Sequence, residues 1–177
     1  MRIDLAIVLG LALITPLNPA LAQQPPPANV EAKKAAIAEL GFLVGEWKGE
    51  GWIAHGPNRE TFSSWEKVQR KVDGLALLVE GLHKDAAGKV VHDALAVISW
   101  DDAAGHYRFS SYLASGRSGE STGKLEGGAF VWSPAPQVRY TLRLDGDGRW
   151  HEIGEHSPDG GKSWNQFFEM RLERVGD

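Results

Sequence analysis

The chain has 177 residues, a formal net charge of −4 and no cysteine, which excludes a disulfide framework and an anchor built on a lipidated cysteine. Nothing in that charge favours nucleic acid or an anionic membrane surface as a partner. Seven tryptophans point instead to aromatic packing in a β-rich core.

Arg2 precedes an almost continuous apolar run from Leu5 to Leu17, and Ala20-Leu21-Ala22 follows as an A-x-A cleavage site. Residues 1–22 therefore read as a secretory signal peptide. The run is too short for a comfortable membrane span, and no later segment approaches one. The expected mature protein begins at Gln23 and is periplasmic or secreted. QQPPPAN, residues 23–29, is a proline-stiffened tether, and residues 30–177 form one domain.

Asn29 can cap a short helix, VEAKKAAIAEL, that Gly41 ends. Val30, Ala36, Ile37 and Leu40 would share its apolar face. From Phe42 onward the hydrophobic period changes to two, and Gly/Asp/Pro turns recur every eight to twelve residues. About ten short strands without intervening helices predict an all-β antiparallel meander, closed as a barrel or folded as a sandwich, with closure favoured because it removes bare sheet edges. Alternation assigns some faces. Val138, Tyr140, Leu142 and Leu144 share one side, as do Gln166, Phe168, Met170 and Leu172, and so do Phe62, Ser64, Glu66, Val68 and Arg70. GLALLVEGLHK and VVHDALAVISW are apolar on both faces, which leaves His83 and His92 unplaced and, by default, solvated.

HEIGEH, residues 151–156, has the composition of a metal site but not its geometry. On a strand His151 and His156 fall on opposite faces, about 16 Å apart at ~3.3 Å per residue. No metal is assigned. The next stretch, SPDGGKSW, carries the S-x-D-x-G-x-x-W spacing of an Asp-box hairpin. Asp159 would accept backbone N–H bonds across the turn, Gly160 and Gly161 would supply positive φ, and Trp164 would fold back over it. Sialidase propellers repeat this unit, and here it occurs once, so its role is structural.

GEWKGEG, residues 45–51, places Gly45, Trp47, Gly49 and Gly51 on one face, where missing side chains let a wall bend or another group approach. A short helix followed by G-x-W on the first strand resembles the lipocalin-type (calycin) barrels. That resemblance implies that Trp47 closes one end of the barrel and stacks on an arginine from the last strand, Arg171 or Arg174. The longer G-x-W-x-G-x-G form is similar to nitrobindin-like haem barrels, which take their haem-ligating histidine from the C-terminal part of the chain; here no histidine follows His156. LGFLVGEW, SWDDAAGHYRF, HSPDGGKSW and EMRLERV, in this order, most resemble a family of exported bacterial lipocalin-like domains of unknown function. No cofactor is assigned.

Glu66 is turned inward by alternation, and Glu152 shares a face with Trp150. A carboxyl inside a barrel must pair, hydrogen-bond or shift its pKa. Arg70 is the structural partner expected for Glu66. Tyr107, Phe109, Tyr140, Trp150 and Phe168, with Glu66 and Glu152, are the expected ligand-binding residues, suited to a small apolar or amphipathic molecule. The alternatives are an isomerase or hydrolase using an interior glutamate as general base, and a filled barrel presenting Trp52, Trp65 and Phe167 as an aromatic interaction patch.

Overall fold

The computed structural model describes residues 29–176; the expected signal peptide and most of the tether lie outside them. The side chain of Asn29 accepts the Ala32 N–H at 3.1 Å and starts helix α1, Val30–Glu39. A tighter 3-10 turn, Leu40–Leu43, follows. Ten strands come next: β1 (Gly45–His55), β2 (Asn58–Lys71), β3 (Ala76–Lys84), β4 (Val90–Asp101), β5 (His106–Leu113), β6 (Ser118–Glu126), β7 (Ala129–Ala135), β8 (Val138–Leu144), β9 (Trp150–His156) and β10 (Asn165–Gly176). Each pairs antiparallel with its sequence neighbours, and β1 pairs with β10 to close the barrel. The predicted meander is therefore observed, and closure leaves no unpaired edge strand.

The two ends of the barrel differ. At the end carrying the β2–β3 and β4–β5 turns, α1 lies against β3 and β4, with Ile37, Leu40 and Leu43 buried beneath it. Val30, expected on the same face, stays 42% exposed because it sits at the first turn, beyond the barrel wall. The Trp47 indole N–H donates to the Leu43 carbonyl at 2.8 Å, and the Tyr107 hydroxyl donates to the Ala36 carbonyl at 2.8 Å. These bonds pin the helical segment across the opening as a plug.

The arginine expected over Trp47 is Arg174. Its guanidinium lies 4.0 Å from the indole centroid and donates to the carbonyls of Phe42, at 3.1 Å, and Val44. Arg171 falls on the opposite parity of β10 and faces outward to Glu169, at 2.9 Å, and Asp145. An odd spacing from the inward Leu172 forbids Arg171 from sharing the interior face.

The glycines of β1 accommodate close approach. A Cβ at Gly49 would collide with the Arg171 backbone carbonyl, and one at Gly51 would strike the Phe62 ring and come within 2.6 Å of the Glu169 carbonyl oxygen. Their absence lets β10 lean over β1 and lets Phe62 lie inward.

Candidate functional site: an aromatic cavity with two buried glutamates

Above the plug the barrel is hollow, with a cavity of about 1010 Å³ that reaches from Leu43 and Trp150 to the opposite rim. That volume stands at the upper end of the range for small-molecule sites, and a ten-stranded barrel has the girth for it. His55 at the β1–β2 turn, Asp85 and Ala86 at β3–β4, Arg117 at β5–β6 and Pro134 near β7–β8 mark its mouth.

Alternation builds the wall. Along β2 the buried residues are Phe62, Ser64, Glu66 and Val68; along β9 they are Trp150, Glu152 and Gly154. Phe109 of β5, Trp132 of β7 and Tyr140 of β8 stack with centroids 4.3 and 4.4 Å apart and planes within 9°. Tyr140 meets Phe168 edge-on at 5.7 Å, and Phe168 stacks on Phe62 at the same separation. These rings form a nearly continuous aromatic surface, in which each pair adds to the area it buries.

Glu66 and Glu152 both line the cavity and are only 6% and 8% exposed. Burial raises the Glu66 carboxyl to about 8, and the Ser64 hydroxyl, donating to Oε1 at 3.4 Å, opposes this only in part. Burial likewise raises Glu152 to about 8, reinforced by the charge of Glu66; the Trp150 indole N–H, 3.2 Å from Oε2, works the other way. Arg70, the expected partner of Glu66, is exposed at the far end of β2, with its guanidinium against Gly41. Glu66 instead meets His83, whose Nε2 is 3.2 Å from Oε1.

His83 and His92 are not solvated. Facing each other across β3 and β4, they stack at 4.7 Å, and His83 also stacks on Phe62 at 4.3 Å. Burial lowers both imidazoles to about 4. Near neutrality the His83–Glu66 contact is therefore a hydrogen bond between two uncharged groups rather than an ion pair, because burial disfavours charge on both. The sequence does carry a signal for this pair. DAAGK sits between His83 and His92 almost symmetrically, so a hairpin there must bring them side by side.

Of the expected ligand-binding residues, Glu66, Phe109, Tyr140, Trp150, Glu152 and Phe168 line the cavity. Tyr107 does not. It is 2% exposed, held beneath α1 by its bond to Ala36 and wedged edge-on between Trp100 and Phe130. Phe62, His83, His92 and Trp132 line it too.

The Asp-box hairpin lies at the open end, between β9 and β10. Asp159 accepts from the Lys162 and Ser163 N–H groups at 3.0 and 2.8 Å and from the Ser163 and Ser157 hydroxyls, which together lower its carboxyl to about 2. Trp164 packs under the Arg139 guanidinium, 4.0 Å from its centroid.

A ten-stranded antiparallel barrel plugged by a short helix and hollow above it is a calycin-like arrangement. It has a solved counterpart. The crystal structure of Rv2717c from M. tuberculosis superposes with a TM-score of 0.59 over 79% of this chain and 97% of that one, at 17% sequence identity. That likeness is one of fold. No protein-family model matches the sequence, and no curated protein matches it.

The C-terminal histidines on which the nitrobindin resemblance would draw for haem do not line the cavity. His151 lies on the outer face, 3.1 Å from Glu169, and His156 is exposed at the rim outside the cavity lining. Among the described residues no cluster of three or more His, Asp or Glu is arranged to hold a metal ion, and no helix is long and apolar enough to cross a membrane.

Trp52, Trp65 and Phe167 do not form an exposed patch. Trp52 donates to Glu169 and lies under Arg59, Trp65 donates to Glu46 at 2.8 Å, and Phe167 packs edge-on to Tyr140. All three are partly buried.

Proposed function

We propose that this protein is an exported lipocalin-like binder or carrier of a small amphipathic molecule. The observation that carries the reading is the plugged barrel enclosing about 1010 Å³ of aromatic-walled space open at one end. An open, aromatic-walled concavity of this size with a few polar groups is the shape that small-molecule sites take. The apolar run and A-x-A site in residues 1–22 support export, and the order of the LGFLVGEW, HSPDGGKSW and EMRLERV motifs supports the lipocalin-like family.

Native mass spectrometry of protein purified from the periplasm and incubated with a panel of amphipathic small molecules tests the reading. One ligand retained per chain is the expected result. Replacing Ala94 on the cavity wall by Trp (Ala94→Trp) should weaken retention by narrowing the space. Absence of any retained ligand overturns the proposal, and a mature N-terminus other than Gln23 overturns the assigned cleavage.

A second reading is favoured by the contact between His83 and Glu66. Such a pair inside a cavity could move a proton on a bound substrate, as general acid–base catalysis requires. Turnover abolished by Glu66→Gln with binding retained would support catalysis; unchanged chemistry of every bound ligand would rule it out.

A further inference from the structure

Glu66 and Glu152 share one cavity and leave part of their bonding capacity unused. The described hydrogen bonds of Glu66 all end at Oε1, and that of Glu152 ends at Oε2. Glu66 Oε2 lies over Gly81, whose missing side chain makes room for it: a Cβ there would stand 2.8 Å from that oxygen. Glu152 Oε1 has no hydrogen-bond partner among the described residues. Among the described residues neither carboxyl has a lysine or arginine partner.

The charged groups around the cavity are lopsided. Glu66 and Glu152 lie deep, while Glu60, Asp85 and Arg117 stand near the turns at the mouth, and no lysine lines the space. His83 and His92 from β3 and β4 and Tyr140 from β8 face the same interior and are neutral, and His55 sits at the rim. A ligand carboxylate would meet four acidic side chains and no deep cation. A positive group would supply the counter-charge that these two acids of one cavity lack, and the faces of the aromatic wall add cation–π attraction.

We propose that the cavity floor is a subsite for an organic cation: the ammonium group of an amphipathic amine, seated at the free oxygens of Glu66 and Glu152, with its apolar body against Phe62, Tyr140 and Phe168. This assignment rests on the binding function above and names the class of ligand.

Isothermal titration of the mature protein with decylamine, decyltrimethylammonium, decanol and decanoate, below their aggregation concentrations, tests it. Both cations should bind at least about tenfold more tightly than decanol, with decanoate weakest. Between pH 6.5 and 7.5 binding of decyltrimethylammonium should release protons, read from the dependence of the heat on buffer ionisation enthalpy, because a cation favours the ionised carboxyls. Glu66→Gln with Glu152→Gln should bring the affinity of both cations down to that of decanol and abolish the proton release, with the circular dichroism of the folded barrel retained. Decanol binding as tightly as the cations overturns the cation subsite but leaves the carrier function standing. If none of the four binds, both fall. Should the double variant fail to fold, the wild-type ranking and its proton release decide alone.

Discussion

At the residue scale, the interior depends on side chains kept neutral by burial, and this sets a pH signature. Glu66 and Glu152 are raised to about 8 in the folded protein, far above the unfolded value of about 4.3 for glutamate. The folded state therefore holds these protons where the unfolded chain has lost them, so stability falls as pH rises from the unfolded value through about 8. His83 and His92, lowered to about 4, act in the opposite direction: their contribution is complete above the unfolded value of about 6.5 and is lost as pH falls towards 4. Thermal melting followed between pH 7 and 8 should thus decline in the wild type, and the decline should flatten in Glu66→Gln with Glu152→Gln. An equal slope in both proteins would contradict the buried, neutral carboxyls. Arg174 supplies a second prediction at this scale. Arg174→Ala removes the cation over Trp47 and two bonds to the plug, and should cost about 1–2 kcal/mol in urea unfolding. Arg171→Ala, which loses only outer-surface contacts to Glu169 and Asp145, should cost less than about 1 kcal/mol.

Individual elements differ in how much of their role could be read in advance. β2, β8 and β10 alternate between apolar and polar residues apart from Trp65 and Phe167, so Phe62, Tyr140 and Phe168, and with Phe62 the Glu66 of the same parity, could be turned inward from sequence. β3 and β4 could not be oriented, because Leu78 and Leu82 on the outer face are as apolar as Leu77 and Val79 on the inner. Their two histidines were assigned to solvent for the same reason, although register across the hairpin places them together. Tyr107 was misplaced because period-two alternation fixes the face of a strand but not its height along the barrel; the residue points inward at the plugged end. The Asp159 turn of the 157–164 hairpin was legible, since its bonds are local, whereas the Arg139 partner of Trp164 comes from β8 and was not. In that turn, Asp159→Asn should increase hydrogen exchange of the Gly161, Lys162 and Ser163 amides and lower the melting temperature modestly, with cavity binding intact. This hairpin's stabilising carboxylate, lowered to about 2 from an ordinary 3.8, contributes fully above that ordinary value and is lost as pH falls through 2. Unchanged exchange in the variant would show that the glycines alone hold the turn.

On the scale of the whole molecule, the helical plug and the sheet form one cooperative structure, since Ile37, Leu40 and Leu43 belong to the same buried cluster as Trp47, Phe130 and Leu172. Ile37→Ala should destabilise the whole barrel by about 3 kcal/mol, with all strand amides losing protection together; loss confined to the helix would show that the plug unfolds separately. The pairing of the first strand with the last carries a kinetic consequence. Arg174 and Phe42 meet although they are 132 positions apart in sequence, so the ring is completed only by contacts that close almost the entire described chain into a loop. Such a closure is costly in chain entropy and slow to form. Parting the β1–β10 junction would bare two ladders of backbone groups at once, which makes that route of opening unfavourable. Cargo would accordingly come and go between the hairpins of the rim, and the rate of exchange would be governed by those short connections while the staves of the vessel stay shut.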